Sequence, residues 1–351
     1  VCARNEDKQH IQRILNGFLK KVMLGDFIGA WIVDPVFAEP LAWSSAEIWI
    51  ALYGYSLQVY ADFSGYTDMA KGMAGLLGIK LPENFRLPYR ATSPGDFWRR
   101  WHITLSSWWK DYVYIPMGGN RRFSGFSLAC VVLAWAAVIW QVDNVGVCLV
   151  VSGVGLLMAA TLLLYPEANR RAANAVNVLL IMLMGGLWHG AHMNFIIWGG
   201  LNGLVLSTWI LLPSNSTTKL WSKALGWFVT FHSVVAIRIW FRAGSLVHMG
   251  ELPSTPHPSG AWNNALALWQ ALTQSSVEFT TLHWQPEYGI GLSLLGVGYG
   301  LHFMPSSRQG QMERLGNRIP MWAIWVAWSM AAAASVWCTE GQTRPFIYWQ
   351  F

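Results

Sequence analysis

The chain has 351 residues, 54% hydrophobic and only 12% charged, where an ordinary soluble domain is about a quarter charged. A formal net charge of +6 would raise nucleic acid as a partner in a soluble protein. Here the basic residues lie between apolar stretches, so they read as topology signal and contact with anionic membrane lipid, and nucleic acid is excluded.

The 23 tryptophans agree, because an indole at the bilayer interface buries its ring and keeps its N–H wet. The cysteines, Cys2, Cys130, Cys148 and Cys338, form no CxxC pair and read as small hydrophobes rather than a disulfide framework or metal site.

The chain opens on Val1 and runs into Arg4, Glu6, Asp7 and Lys8. That is not a signal peptide, and the sequence reads as starting partway through a longer protein. Crossing the hydrocarbon takes ~20 apolar residues as helix. Candidate spans are 13–33, 45–62, 126–142, 145–165, 175–188, 193–212, 224–241, 288–304 and 320–338. Orientation follows Lys and Arg. Segment 63–123, with Lys71, Lys80, Arg86, Arg90, Arg99, Arg100, Lys110, Arg121 and Arg122, is expected in the cytoplasm; 243–287, which has neither, is expected outside. Alternation then puts the tail 339–351 outside. The expectation is one all-α, polytopic membrane domain over 1–351, with no soluble linker.

Between the second and third spans, PGDFWRRWHITLSSWWKDYVYIP (Pro94 to Pro116) mixes aromatic rings with Arg, His, Lys and Asp, which fits an interfacial or re-entrant helix. The richest polar run inside an apolar stretch is MGGLWHGAHMNF, Met184 to Phe195. There His189 sits among glycines that permit close approach or a break in the helix. It is either hydrogen-bonding glue between helices or chemistry, and His102 in the other unusual segment favours chemistry. His192 three residues on raises a metal pair. No HExxH glutamate and no nearby Cys or Asp completes a ligand set, so no metal is expected. Asp62 and Asp68, in YADFSGYTDMAKG, would form a proton or cation path in a transporter, or else pair with Lys71 or an Arg of the basic segment. The residues alone leave transporter and membrane enzyme open.

Four segments together resemble a known family: Gln58 to Arg122, GGLWHGAHMNFIIWG (Gly185 to Gly199), WFRA (Trp240 to Ala243) and the terminal PFIYWQF (Pro345 to Phe351). They are similar to the membrane-bound O-acyltransferase (MBOAT) family, and most of all to the branch containing the membrane component of bacterial alginate O-acetylation. The resemblance implies a ring of helices around a tunnel. His189, in the WHG motif, would be the catalytic histidine, and His102, in RRWH, the second functional one. Trp98, Arg99 and Arg100, with Trp188 and Asn194, would line the tunnel or the acyl-donor side. It implies acetyl-CoA as donor substrate, no bound cofactor, an extracytoplasmic polysaccharide acceptor, extracytoplasmic acetyltransferase partner proteins, and a place in the bacterial inner membrane. Related members use D-alanine with teichoic acid, peptidoglycan or lipid.

The FIYWQF ending suggests Tyr348 as an acyl carrier. A phenol of pKa near 10 is only ~1 in 1000 ionised at neutral pH, a cost of roughly 4 kcal/mol, so a nearby base such as His189 would be needed. An interfacial aromatic anchor is the alternative. Compared with the family pattern, upstream spans are expected to be missing, and 124–174 is expected to be an inserted two-span hairpin.

Overall fold

A computed structural model describes residues 2–141, 170–190, 192–212, 220–248, 259–274 and 286–338, apart from 306, 309–310, 312–314 and 317. In chain order the described helices are α1 (Cys2–Leu19), α2 (Asp34–Ala38), α3 (Ser45–Leu76), α4 (Pro94–Arg100), α5 (Ile103–Trp109), α6 (Gly125–Gln141), α7 (Arg170–His189), α8 (Met193–Leu211), α9 (Leu220–His248), α10 (Ser259–Gln274), α11 (Pro286–Phe303) and α12 (Met321–Cys338). No strand occurs among the described residues. Arg170–His189, Met193–Leu211 and Leu220–Leu246 are long and apolar enough to cross a membrane. The protein is an all-α polytopic membrane protein.

The sequence-derived spans fall on helices, except that 145–165 lies outside the described residues. Two expectations need correction. The span at 45–62 does not end there. Its helix, α3, starts on a Ser44–Glu47 capping box and continues for 32 residues to Leu76. At about 1.5 Å per residue it is roughly 48 Å long, more than the ~30 Å hydrocarbon layer. It persists through Asp62 and Asp68 because each is matched by a cation from the preceding helical segment. Asp62 pairs with Lys21 at 2.6 Å; Asp68 pairs with Lys20 at 2.6 Å and Arg13 at 3.0 Å. These are not the partners expected from the sequence. Lys71 instead meets Glu83 at 2.9 Å.

The second concerns 243–287, where no helix was assigned from the sequence. It contains α10, whose Ala261, Ala265 and Leu268 recur at helical spacing and are buried. Asn264 on the same face donates to the Phe37 carbonyl at 2.5 Å. This helix is short and carries its apolar residues on one stripe, so a search for membrane spans passes it by.

The chain divides into two compact units, Val1–Arg90 with Arg238–Phe351, and Ala91–Ile237. One boundary between these units falls inside α9 rather than in a linker. In the first unit, buried Arg242 pairs with Asp34 at 2.6 Å. Arg238 donates to the Ser56 carbonyl at 3.0 Å and lies over the Tyr89 ring.

In the second unit, α6 returns to the start of α7. Phe123 and Ala173 are buried there against Leu128, Val131, Ala172 and Val176. The ends of the expected insertion thus meet, while 142–169 lie outside the described residues.

Candidate active site

The site is built on the second unit, and its frame is the antiparallel hairpin of α7 and α8. A Cβ added at Gly186 would meet the Phe195 carbonyl oxygen at 2.3 Å, and one at Gly199 the Met182 carbonyl oxygen at 2.2 Å. Only hydrogen fits at this crossing, as in close helix contacts inside membranes. Further along, Ser207 donates to the Ala175 carbonyl at 2.7 Å and fixes the other end. The connection is short. Helix α7 ends at His189 and α8 starts at Met193. His192 caps α8, its Nδ1 accepting the Asn194 backbone N–H at 3.3 Å. That nitrogen is committed to the cap rather than to a metal. Among the described residues no cluster of His, Cys, Asp and Glu is large enough to hold one.

His189 closes the last turn of α7, the helix end at which positive charge is favoured. It is 7% exposed and walled by aromatic rings. Trp188 packs edge-on at 4.8 Å, Trp198 edge-on at 5.2 Å, and Phe195 stacks at 6.4 Å between centroids. Asn194, fully buried, lies in the first turn of α8. Trp188 itself is half exposed.

His102 approaches from the polar segment. Helix α4 forms because Ser93 caps it, accepting the Asp96 N–H at 3.2 Å, with Pro94 in its first turn. Asp96 lies in the first turn and Arg99 and Arg100 in the last, matching the helix dipole. Both arginines also turn back to Asp96, Arg100 at 2.9 Å and Arg99 at 3.7 Å. Trp101 stacks on Phe97 at 5.7 Å.

The chain then turns through His102 in the left-handed conformation, φ 44 and ψ 55. A non-glycine residue held there is strained by about 1 kcal/mol or more, and such residues concentrate at functional sites. Burial pushes the His102 imidazole down to about 4. It is therefore neutral at pH 7, with one N–H donor and one acceptor nitrogen. Trp98 of α4 packs edge-on against Trp198 at 6.0 Å, so one indole touches both histidine-bearing segments.

The structure thus brings together His189, His102, Trp98, Trp188 and Asn194. Arg99 and Arg100 lie on the same short helix, engaged with Asp96. Tyr348 lies outside the described residues. Asp62 and Asp68 belong to the other unit and are held in ion pairs, which removes the observation that favoured a cation path. Two residues went unnoticed in the sequence. Trp198 is hidden among 23 tryptophans. Asn177, fully buried, ties α7 to the basic turn after α5: it donates to the Gly119 and Arg122 carbonyls at 2.9 and 3.1 Å and accepts from Ser127 Oγ at 2.8 Å. That turn needs glycine: Gly118 and Gly119 have φ +104 and +57.

The model of the membrane-bound O-acyltransferase family matches residues 13–138, a stretch that includes His102. The chain is 33% identical over 250 residues to the probable alginate O-acetylase AlgI of Pseudomonas aeruginosa, covering 71% of this chain and 38% of the relative. It is 36% identical over 233 residues to the peptidoglycan O-acetyltransferase of Helicobacter pylori, covering 66% and 35%. With the teichoic acid D-alanyltransferase of Bacillus subtilis it shares 28% over 234 residues, covering 64% and 48%. The chain spans about two fifths of the length of the alginate relatives it matches. A matched family model, relatives at a third identity over most of the chain, and a buried histidine linked by packed indoles to the second histidine segment agree: the chain is similar to the membrane-bound O-acyltransferase family.

Proposed function

We propose that this chain is the catalytic part of an O-acyltransferase that moves an acetyl group from cytoplasmic acetyl-CoA to hydroxyls of an extracytoplasmic polysaccharide, an alginate- or cellulose-like exopolymer. The observation that carries the reading is buried His189 within an aromatic wall whose Trp198 also packs on Trp98, in the helix that leads into His102. His189 takes the proton of the attacking hydroxyl as its oxygen bonds to the thioester carbonyl carbon. The carbon–sulfur bond breaks, the proton passes to the departing thiolate, and the products are an acetyl ester and the CoA thiol. His102 offers its N–H to the acyl oxygen, where negative charge develops. Trp98, Arg99 and Arg100 shape the donor entrance, and the Trp188 and Asn194 side chains shape the wall around the base.

The Lys and Arg distribution supports a place in the bacterial inner membrane with the C-terminal tail outside. There Tyr348 would take the acetyl group and pass it to an extracytoplasmic acetyltransferase. A second reading keeps the site and changes the acceptor or acyl group; similarity to a peptidoglycan O-acetyltransferase and a teichoic acid D-alanyltransferase favours it.

Mass analysis of the cell-surface polymers of cells carrying the chain, of a His189→Ala strain and of a Tyr348→Phe strain tests these points. The proposal expects acetyl esters on exopolymer, lost in both variants. Acetyl on peptidoglycan, or D-alanyl esters, would move the assignment to the second reading. Full acetylation in the Tyr348→Phe strain would remove the relay alone.

A further inference from the structure

Trp198, half-buried, is a residue for which the proposed chemistry has no step, yet it touches both halves of the site. Its ring lies edge-on to His189 at 5.2 Å and 89°, and edge-on to Trp98 at 6.0 Å and 75°. Its backbone carbonyl accepts the Asn202 side-chain amide at 2.8 Å. The next residue is Gly199, one of the two glycines at the tight crossing. The indole is therefore carried at the point where α7 and α8 have least freedom to shift.

We infer that Trp198 is a positioning residue: it holds the His189 ring at a fixed angle and keeps it in register with the His102 segment through Trp98. The inference rests on His189 being the base, as proposed above. The physical reason is geometric. An imidazole at a helix end can rotate about two side-chain torsions, and the terminal one is broad. Proton abstraction requires the nitrogen within about 3 Å of the hydroxyl. A bulky edge packed at right angles to the ring excludes most of those rotations. The same indole braces α4, so the strained backbone at His102 is supported from α8. Displacements of about 1 Å in such arrangements cost up to ~100-fold in rate.

The test uses membranes from cells producing the chain, with labelled acetyl-CoA as donor, and compares Trp198→Ala, Trp198→Phe, His189→Ala and, as a control for loss of an exposed indole, Trp221→Ala. Carbethoxylation of His189 by diethyl pyrocarbonate is followed by mass spectrometry on the same membranes. The expected result is a 10- to 100-fold fall in kcat for Trp198→Ala with KM for acetyl-CoA little changed. Trp198→Phe should recover most of the loss, Trp221→Ala should match wild type, and His189 in Trp198→Ala should be carbethoxylated several-fold faster. An unchanged kcat and unchanged His189 reactivity in Trp198→Ala would overturn the inference. So would a Trp198→Phe variant no better than alanine. Retained transfer in His189→Ala would overturn the proposed function instead, which keeps the two failures distinct.

Discussion

Replacing Asn177 tests how the basic segment is fastened to the hairpin that carries His189. Asn177 is fully buried and makes three hydrogen bonds, two of them as donor to the Gly119 and Arg122 carbonyls. In Asn177→Ala both carbonyls lose their donor, whereas Ser127 still donates to the Met117 carbonyl at 2.8 Å. The cost is therefore that of two carbonyl acceptors left unmatched, about 1–3 kcal/mol each if no water reaches them. The Arg122 contact is only partly buried, so the low end applies to it and the total is about 2–4 kcal/mol.

Asn177→Asp keeps the acceptor for Ser127 but sets a carboxylate oxygen against two carbonyl oxygens. It should be at least as damaging as alanine, although it is nearly isosteric. Thermal denaturation in detergent, read by tryptophan fluorescence, should show both midpoints lowered by roughly 3–6 °C. An aspartate variant within about 1 °C of wild type would refute the bonding argument.

Two further outcomes follow from the structure. His102 has its folded-state pKa lowered to about 4 from 6.5 by burial. Between those values the unfolded chain binds a proton that the folded chain does not, so stability should fall as pH drops through that window and be unaffected above it. His102→Gln should lessen the slope, and His102→Gly should be more stable than His102→Ala by about 1 kcal/mol because it relieves the left-handed backbone; denaturation midpoints across pH check both. Lys21 is buried between Asp26 at 2.8 Å and Asp62 at 2.6 Å. Lys21→Met should remove the buried cation from both carboxylates and cost about 3–5 kcal/mol. Asp62→Asn, which leaves Lys21 with Asp26, should cost less, and equal melting shifts would contradict that ordering.

Much of the architecture was legible because hydrocarbon imposes a length and an apolar composition on anything that crosses it. That made α7, α8, α9 and α11 visible as spans. The Gly-flanked His189 stood out for the complementary reason: a polar residue in such a stretch costs free energy.

What the sequence concealed depends on pairing at long range. Helix α3 outruns its apolar stretch because Lys20, Lys21 and Arg13 meet its aspartates, and no local pattern announces those partners. Helix α10 was missed because its buried stripe is too short to register as a span. His102 was legible through the company of Arg and Trp in its motif. Its left-handed backbone was not, since histidine gives no local warning of positive φ. Trp198 and Asn177 act through residues on other elements, so their importance appears only once α7 and α8 are folded together.

The central claim is that His189 acts as a base in acyl transfer. Its most direct test is the transfer of labelled acetyl from acetyl-CoA to exopolymer by membranes containing wild-type chain or His189→Gln at equal protein level. The account predicts transfer by the wild type and a fall of at least ~100-fold in the variant, with acetyl-CoA binding retained. Transfer by His189→Gln at the wild-type rate would contradict it.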